Sequence, residues 1–111
     1  MREARPLNVV YYQSDNGAFP FEDWLNGLGD PKTRARIDAR ITRVSTGNLG
    51  DCCSVGDGVV ELRMQFGAGY RLYCGIDGDD LVLLAGGDKS TQQKDIEVAK
   101  DHWRDYSESG A

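Results

Sequence analysis

Between residues 59 and 77 apolar and polar side chains alternate with a period of two. Val60, Leu62, Met64 and Phe66 share one parity and Glu61, Arg63 and Gln65 the other. After Gly67-Ala68-Gly69, the residues Tyr70, Leu72, Cys74 and Ile76 alternate with Arg71 and Tyr73. This pattern predicts two strands, 59–66 and 70–77, each burying one face. The intervening connection ends in a glycine suited to a bulged hairpin turn. Pairing Phe66 with Tyr70 sets Met64 opposite Leu72 and Leu62 opposite Cys74, so every core-facing pair is apolar. The opposite face then gathers Arg63, Gln65, Arg71 and Tyr73. Left open, it would bind anions and stack bases.

The pattern changes elsewhere. Residues 7–14 read as a first strand, with Val9, Val10, Tyr11 and Tyr12 as β-formers. Phe21, Trp24, Leu25 and Leu28 fall at helical spacing, with Pro20 suited to a first helical position. Asp30-Pro31 opens a second helix as N-cap and first residue. Its core stripe is Ile37, Ile41 and Val44, and Arg36, Arg40 and Arg43 form a second stripe about 100° away around the axis. Residues 47–58, rich in glycine, read as a loop too long for a simple connector. Residues 80–86 lack alternation, as a strand covered on both faces would. Ser90 with Gln93 predicts a capping box for a last helix whose Ile96, Ala99, Trp103 and Tyr106 face one way. The tail from residue 107 is expected to fray. The result is one α+β domain over residues 1–111, in the order β-α-α-β-β-β-α, with a small twisted antiparallel sheet packed by helices on one face.

Charge limits how such a domain could meet nucleic acid. The net charge is −5, which argues against a whole-molecule polycation. Yet residues 31–46 carry Lys32, Arg34, Arg36, Arg40 and Arg43 against one acid, Asp38, so a basic helix face is available to a partner. The three cysteines, Cys52, Cys53 and Cys74, are odd in number and two are adjacent, which suits reduced thiols and a cytoplasmic setting. The single histidine, His102, offers no metal-ligand spacing, so neither metal nor other cofactor is expected. The N-terminal residues show no hydrophobic signal region and no apolar run is long enough to span a bilayer, so no membrane association is expected.

The run ELRMQFGAGYRLY, followed by LLAGGDKSTQQKDIEVAK, resembles the addiction-module killer protein branch of the RelE/ParE toxin superfamily. The segments FEDWL, RARIDARI and GNLGD precede it in matching order, so the resemblance covers roughly residues 19 to 104. It implies the toxin of a type II toxin-antitoxin pair, an mRNA interferase acting on free or ribosome-bound mRNA and inhibiting translation. It also implies a helix-turn-helix antitoxin encoded by an adjacent gene. The resemblance implies functional cations where ribosome-dependent relatives have them: on the loop before the second strand of the domain, on the strand with the Tyr-Arg pair, and after the last strand. Here those places are the Cys52 to Val55 region, Arg71 and Lys89. Relatives often carry a lysine where this chain has Cys52-Cys53-Ser54.

Metal-independent RNA cleavage uses the ribose 2′-hydroxyl as nucleophile, and the protein must neutralise the phosphorane and move protons. Arginine forks match phosphate oxygens and stay charged. Arg63, Arg71, Tyr73 and Lys89 are therefore the candidate catalytic set. Arg63, Gln65, Arg71 and Lys89 are the candidate RNA contacts, and Arg36, Arg40 and Arg43 the candidate antitoxin surface. With the loop lysine missing, His102 or Tyr106 could serve in proton transfer. Ordinary readings stand beside these. Arg63 and Arg71 could be solvated strand residues, Asp88 a capping residue, and His102 a packing residue. The superfamily also contains non-catalytic inhibitors of DNA gyrase, and a degenerate antitoxin-binding module would share the same pattern, because one fold hosts several functions.

Overall fold

The computed structural model describes residues 5–109. Its elements are β1 (Asn8–Tyr11), α1 (Pro20–Asn26), α2 (Pro31–Ser45), β2 (Cys52–Gly56), β3 (Val59–Arg63), β4 (Arg71–Asp77), β5 (Asp80–Gly87), a 3₁₀ turn (Lys89–Thr91) and α3 (Gln92–Glu108). Residues 110 and 111, the end of the expected frayed tail, lie outside the described range, and α3 runs on through Ser107. No described helix is long and apolar enough to cross a membrane.

The architecture is α+β, built on one mixed five-stranded sheet in the order β1-β5-β4-β3-β2. It is not wholly antiparallel, because β1 runs parallel to β5. The segment 47–58, read as a loop, supplies the extra strand β2, paired antiparallel with β3. The signal for it is Asp57-Gly58. Both residues have positive φ, 57° and 84°, and they link the paired residues Gly56 and Val59 as a two-residue hairpin turn requires.

Helices cover both faces of the sheet, not one. Phe21 and Leu25 of α1 and Ile37, Ile41 and Val44 of α2 pack with Leu62, Leu72, Cys74, Leu81 and Leu83. On the other face Ala99, Ile96, Trp103 and Tyr106 of α3 pack with Val59, Tyr73, Val82 and Leu84. The uninterrupted apolar run of β5 follows from this, since Leu81 through Leu84 are fully buried between the two layers. Two strand glycines make room for indoles on opposite faces, Gly75 under Trp103 and Gly86 under Trp24.

The β3–β4 register differs from the expected one by two residues. Leu62 pairs with Leu72, Val60 with Cys74 and Arg63 with Arg71. A slip of two keeps every side chain on its face, so the apolar matching could not detect it. The ladder ends at Arg63 because residues 64–70 form a wider turn. Gly67 and Gly69 both have positive φ there, and the Gly69 amide donates to the Phe66 carbonyl at 3.0 Å. Phe66 and Tyr70 still meet, as tilted rings 5.5 Å apart rather than as a ladder pair.

Helix entry matches the sequence at α2, where Asp30 caps and accepts from the Lys32 amide, with Pro31 first in the helix. At α3 it differs. The capping box is formed by Asp88 and Thr91 around the 3₁₀ turn, not by Ser90 and Gln93.

Candidate nucleic-acid interface

The sheet register assembles a cationic row at one end of the α3-covered face. Arg63, Arg71 and Gly87 are aligned across β3, β4 and β5, and Lys89 follows two residues beyond Gly87. The Lys89 stem lies against Gly69, so close that a methyl group on Gly69 would fall 2.8 Å from Lys89 Cγ. This end of the ladder, with Arg63 and Arg71 paired in register and Lys89 packed on the β3–β4 turn, forms a rim, in which the Arg63 fork is turned to Asp51. Like charges directly opposite each other in a ladder are destabilising, and this pair is only half compensated. Arg63 Nη2 lies 3.0 Å from Asp51 Oδ1. Among the described residues no carboxylate forms an ion pair with Arg71.

Arg71 is not the open-face residue expected from alternation. It is 6% exposed, because the N-terminal turns of α3 cover this end of the sheet. Its Nη1 donates to the carbonyls of Gly69 and Tyr70, both at 3.2 Å, and its Nε is buried without a partner. Its charge is thus held within the fold, close to the Lys89-bearing turn.

Tyr73 is also withdrawn from solvent. It is fully buried, and its hydroxyl donates to Glu61 Oε2 at 3.0 Å. Burial, and then the Glu61 carboxylate, push its pKa well above the usual phenol range. Glu61 is itself 1% exposed and accepts in addition from Gln92 Nε2 of α3 at 2.8 Å. The sequence reading missed Glu61 because its parity placed it on a face thought to be open; only the docking of α3 makes it a core residue.

His102 and Tyr106, the alternative proton-transfer groups, are elsewhere. The His102 Nδ1–H donates to the Leu84 carbonyl at 2.8 Å, and the ring stacks on Tyr12 with centroids 4.5 Å apart. Tyr106 stacks on Trp103. Both lie along α3 beyond Ala99, away from the helix start that meets the rim.

The arginine stripe of α2 divides. Arg36 and Arg43 are exposed, whereas Arg40 is 9% exposed and is not part of a solvated surface. Arg40 reaches under the chain: Nη1 donates to the Arg63 carbonyl at 2.6 Å, and Nη2 to the carbonyls of Leu49 and Asp51 at 2.8 and 2.9 Å. Desolvation, and then the neighbouring Arg43 charge, hold its pKa below the ordinary arginine value. Between α2 and the β3–β4 turn lies a groove of about 480 Å³, lined by Arg36, Arg40, Arg43, Arg63, Asp51 and Phe66 among others. Arg36 sits over the Phe66 ring, 3.9 Å from its centroid.

Asp51, not singled out from the sequence, joins groove and rim. Its carboxylate accepts from Arg63 at 3.0 Å and from Gln65 Nε2 at 2.9 Å. The Gln65 bond foremost, then Arg63, hold it below the usual carboxylate range, while Asp51 in turn raises Arg63. Gln65 thus faces Asp51 rather than Arg71. The cysteines are free thiols, Cys74 buried and Cys52 and Cys53 partly buried. Among the described residues no cluster of His, Cys, Asp and Glu is arranged to hold a metal ion.

The chain is 51% identical over 81 residues to an uncharacterized protein of Haemophilus influenzae, an alignment covering 72% of this chain and 82% of that protein. No family model and no solved structure matches it.

Proposed function

The chain belongs to one family with the Haemophilus influenzae protein, and we propose that it is a RelE/ParE-like toxin of a type II toxin-antitoxin module that cleaves mRNA. The observation that carries this reading is the rim: Arg63 and Arg71 side by side in the ladder, Lys89 folded over the turn between their strands, and, among the described residues, no carboxylate paired with Arg71. A cation kept in the fold without a counter-ion is matched to an anion that arrives from outside, and a planar fork suits phosphate.

In the proposed reaction the ribose 2′-oxygen attacks the adjacent phosphorus and the bond to the 5′-oxygen breaks. The products are a 2′,3′-cyclic phosphate and a 5′-hydroxyl. Arg71 and Arg63 stabilise the charge that grows on the phosphorane oxygens. Lys89 protonates the leaving 5′-oxygen. The 2′-hydroxyl proton passes to solvent or to a ribosomal group, because Tyr73 and His102 are committed inside the fold. That commitment also favours a second reading, in which the same cations serve a non-catalytic inhibitor of DNA gyrase. In either case the partner is a helix-turn-helix antitoxin encoded by an adjacent gene.

Expression of the chain alone, with RNA 5′ ends and plasmid supercoiling followed together, tests the proposal. Growth arrest with new 5′-hydroxyl ends is expected, and Arg71→Ala should abolish both while Arg71→Lys restores them in part. Intact transcripts with altered supercoiling would replace the nuclease by the gyrase inhibitor. Normal growth with folded protein present would leave an antitoxin-binding module without toxicity.

A further inference from the structure

Beside the rim, a second anion position is built into the α2 groove. Gly50 has a φ of +67°, and a methyl group placed on it would lie 3.0 Å from Arg43 Nη2 and 3.2 Å from Arg40 Nη2. The Arg40 and Arg43 guanidinium groups, from successive turns of α2, thus pack against the Gly50 backbone at the groove wall, where a larger residue would displace them. Arg40 is more than nine-tenths buried, and its Nε has no partner. Among the described residues Arg43 pairs with no carboxylate, and the nearby acid, Asp51, is bound to Arg63. In a chain of net charge −5 this is a local excess of positive charge, retained against the mutual repulsion of Arg40 and Arg43.

We propose that the groove beside Arg43 receives a second backbone phosphate of a single-stranded RNA whose first phosphate lies at the rim. The inference rests on the nuclease reading for its substrate class. RNA is favoured over an acidic peptide for three reasons. The groove gathers Arg36, Arg40, Arg43 and Arg63 against one acid, Asp51, an excess of positive charge that suits the repeating charges of a nucleic-acid backbone. Arg63 lines the groove and also stands in the rim row, so one strand could pass from one site to the other. The outer lip carries Phe66 beneath Arg36, an aromatic and guanidinium pair of the kind on which unpaired bases stack. Arg40 acts as a positioning residue that fixes the floor, and Arg43, exposed and unpaired, makes the contact.

Binding of 2′-O-methyl RNA oligonucleotides, which cannot undergo the cleavage, separates this inference from the reaction itself. Fluorescence anisotropy would be measured for a series from dinucleotide to octanucleotide over a range of salt concentrations, with circular dichroism showing that each variant is folded. Wild-type affinity is expected to rise once the strand is long enough to span rim and groove. Arg43→Ala should weaken the longer strands about tenfold and lower their salt slope by about 0.7, the value of one phosphate contact on a single strand, while leaving the dinucleotide unaffected. If Arg43→Ala binds every length as wild type while Arg71→Ala loses binding, the groove is not on the RNA path and the nuclease reading survives. Tight binding of a poly-glutamate peptide that depends on Arg43, without any length dependence for RNA, would assign the groove to an acidic partner instead. Failure of wild type to bind any of the strands would also overturn the inference, and cleavage mapping on translating ribosomes would then decide separately whether the nuclease reading stands.

Discussion

Replacing Arg40 by methionine tests whether a buried cation, rather than a surface stripe, organises the groove. The native side chain donates three hydrogen bonds to backbone carbonyls of Leu49, Asp51 and Arg63. Bonds from a charged donor are worth about 1.5–3 kcal/mol each, which puts the gross loss of three at about 4.5–9 kcal/mol. Part is returned. Methionine removes the cost of keeping a charge out of water and the repulsion from Arg43, and the Asp51 carbonyl keeps a second donor, the Arg63 amide at 2.9 Å. A net destabilisation of about 3 kcal/mol is expected, in the range for breaking a buried polar network. In a urea titration with a slope of about 1.5 kcal/mol/M, typical of a small domain, the midpoint should fall by about 2 M. Arg40→Lys should fall between, since one ammonium cannot reach three carbonyls in a planar fan. A change below about 0.5 kcal/mol for methionine, the size of an ordinary surface substitution, would mean that these bonds are replaced by water and that Arg40 is not what holds the chain around Leu49 and Asp51.

Two further outcomes follow from groups inside the fold. Tyr73→Phe removes the hydroxyl that donates to Glu61 and should cost about 1–2 kcal/mol in urea unfolding while leaving toxicity intact; loss of toxicity with unchanged stability would return the phenol to the chemistry. Burial and the neighbouring Cys52 push the Cys74 thiol up to about 12, and burial together with the bond to Asp105 pushes Tyr12 up to about 12. Both folded-state values lie above the unfolded ones, so the folded chain holds more protons and stability should fall as pH rises from about 9 to 12. Cys74→Ala should flatten the lower part of that decline in denaturation curves taken across the pH series, and an unchanged pH profile would count against the burial of a titrating thiol.

The sequence disclosed what depends on local periodicity and failed where tertiary cover decides. The core stripe of α2, the buried run of β5 and the Asp30-Pro31 helix start could be read because each is set by neighbours in the chain. β2 was hidden, since Cys52-Cys53-Ser54-Val55 has no clear alternation; Asp57-Gly58 was its one local sign. The faces of β3 and β4 were assigned correctly, but not what lies over them. Glu61, Arg71 and Tyr73 have the polar parity of an exposed face, and nothing within the two strands says that α3 returns to cover it. Arg40 repeats the lesson on a helix, where one arginine of three turns inward because loop carbonyls need a donor.

Covering both faces of the sheet has a consequence for function. A site on the open face could have used Tyr73 and a broad stacking surface, and with α3 in place that surface is core. What remains accessible at the end of the ladder is the partly exposed Arg63 of β3 and the exposed Lys89, around a buried Arg71 at the start of β4. There the backbone of the 64–70 turn, not a carboxylate, holds Arg71. A backbone carbonyl stabilises a guanidinium through its dipole but leaves the net charge in place, so the attraction for a phosphate survives. Arg40 is held by carbonyls in the same manner. The two buried arginines are therefore cations kept in position without being neutralised, and the partly exposed Arg63, which alone of the set carries an ion pair, lies between them. Under the proposed reading Asp51 and an incoming phosphate compete for the same Arg63 fork; the pair is partly exposed and worth little on its own, so Arg63 can exchange Asp51 for phosphate while Arg71 and Arg40 keep the rim and the groove floor in place.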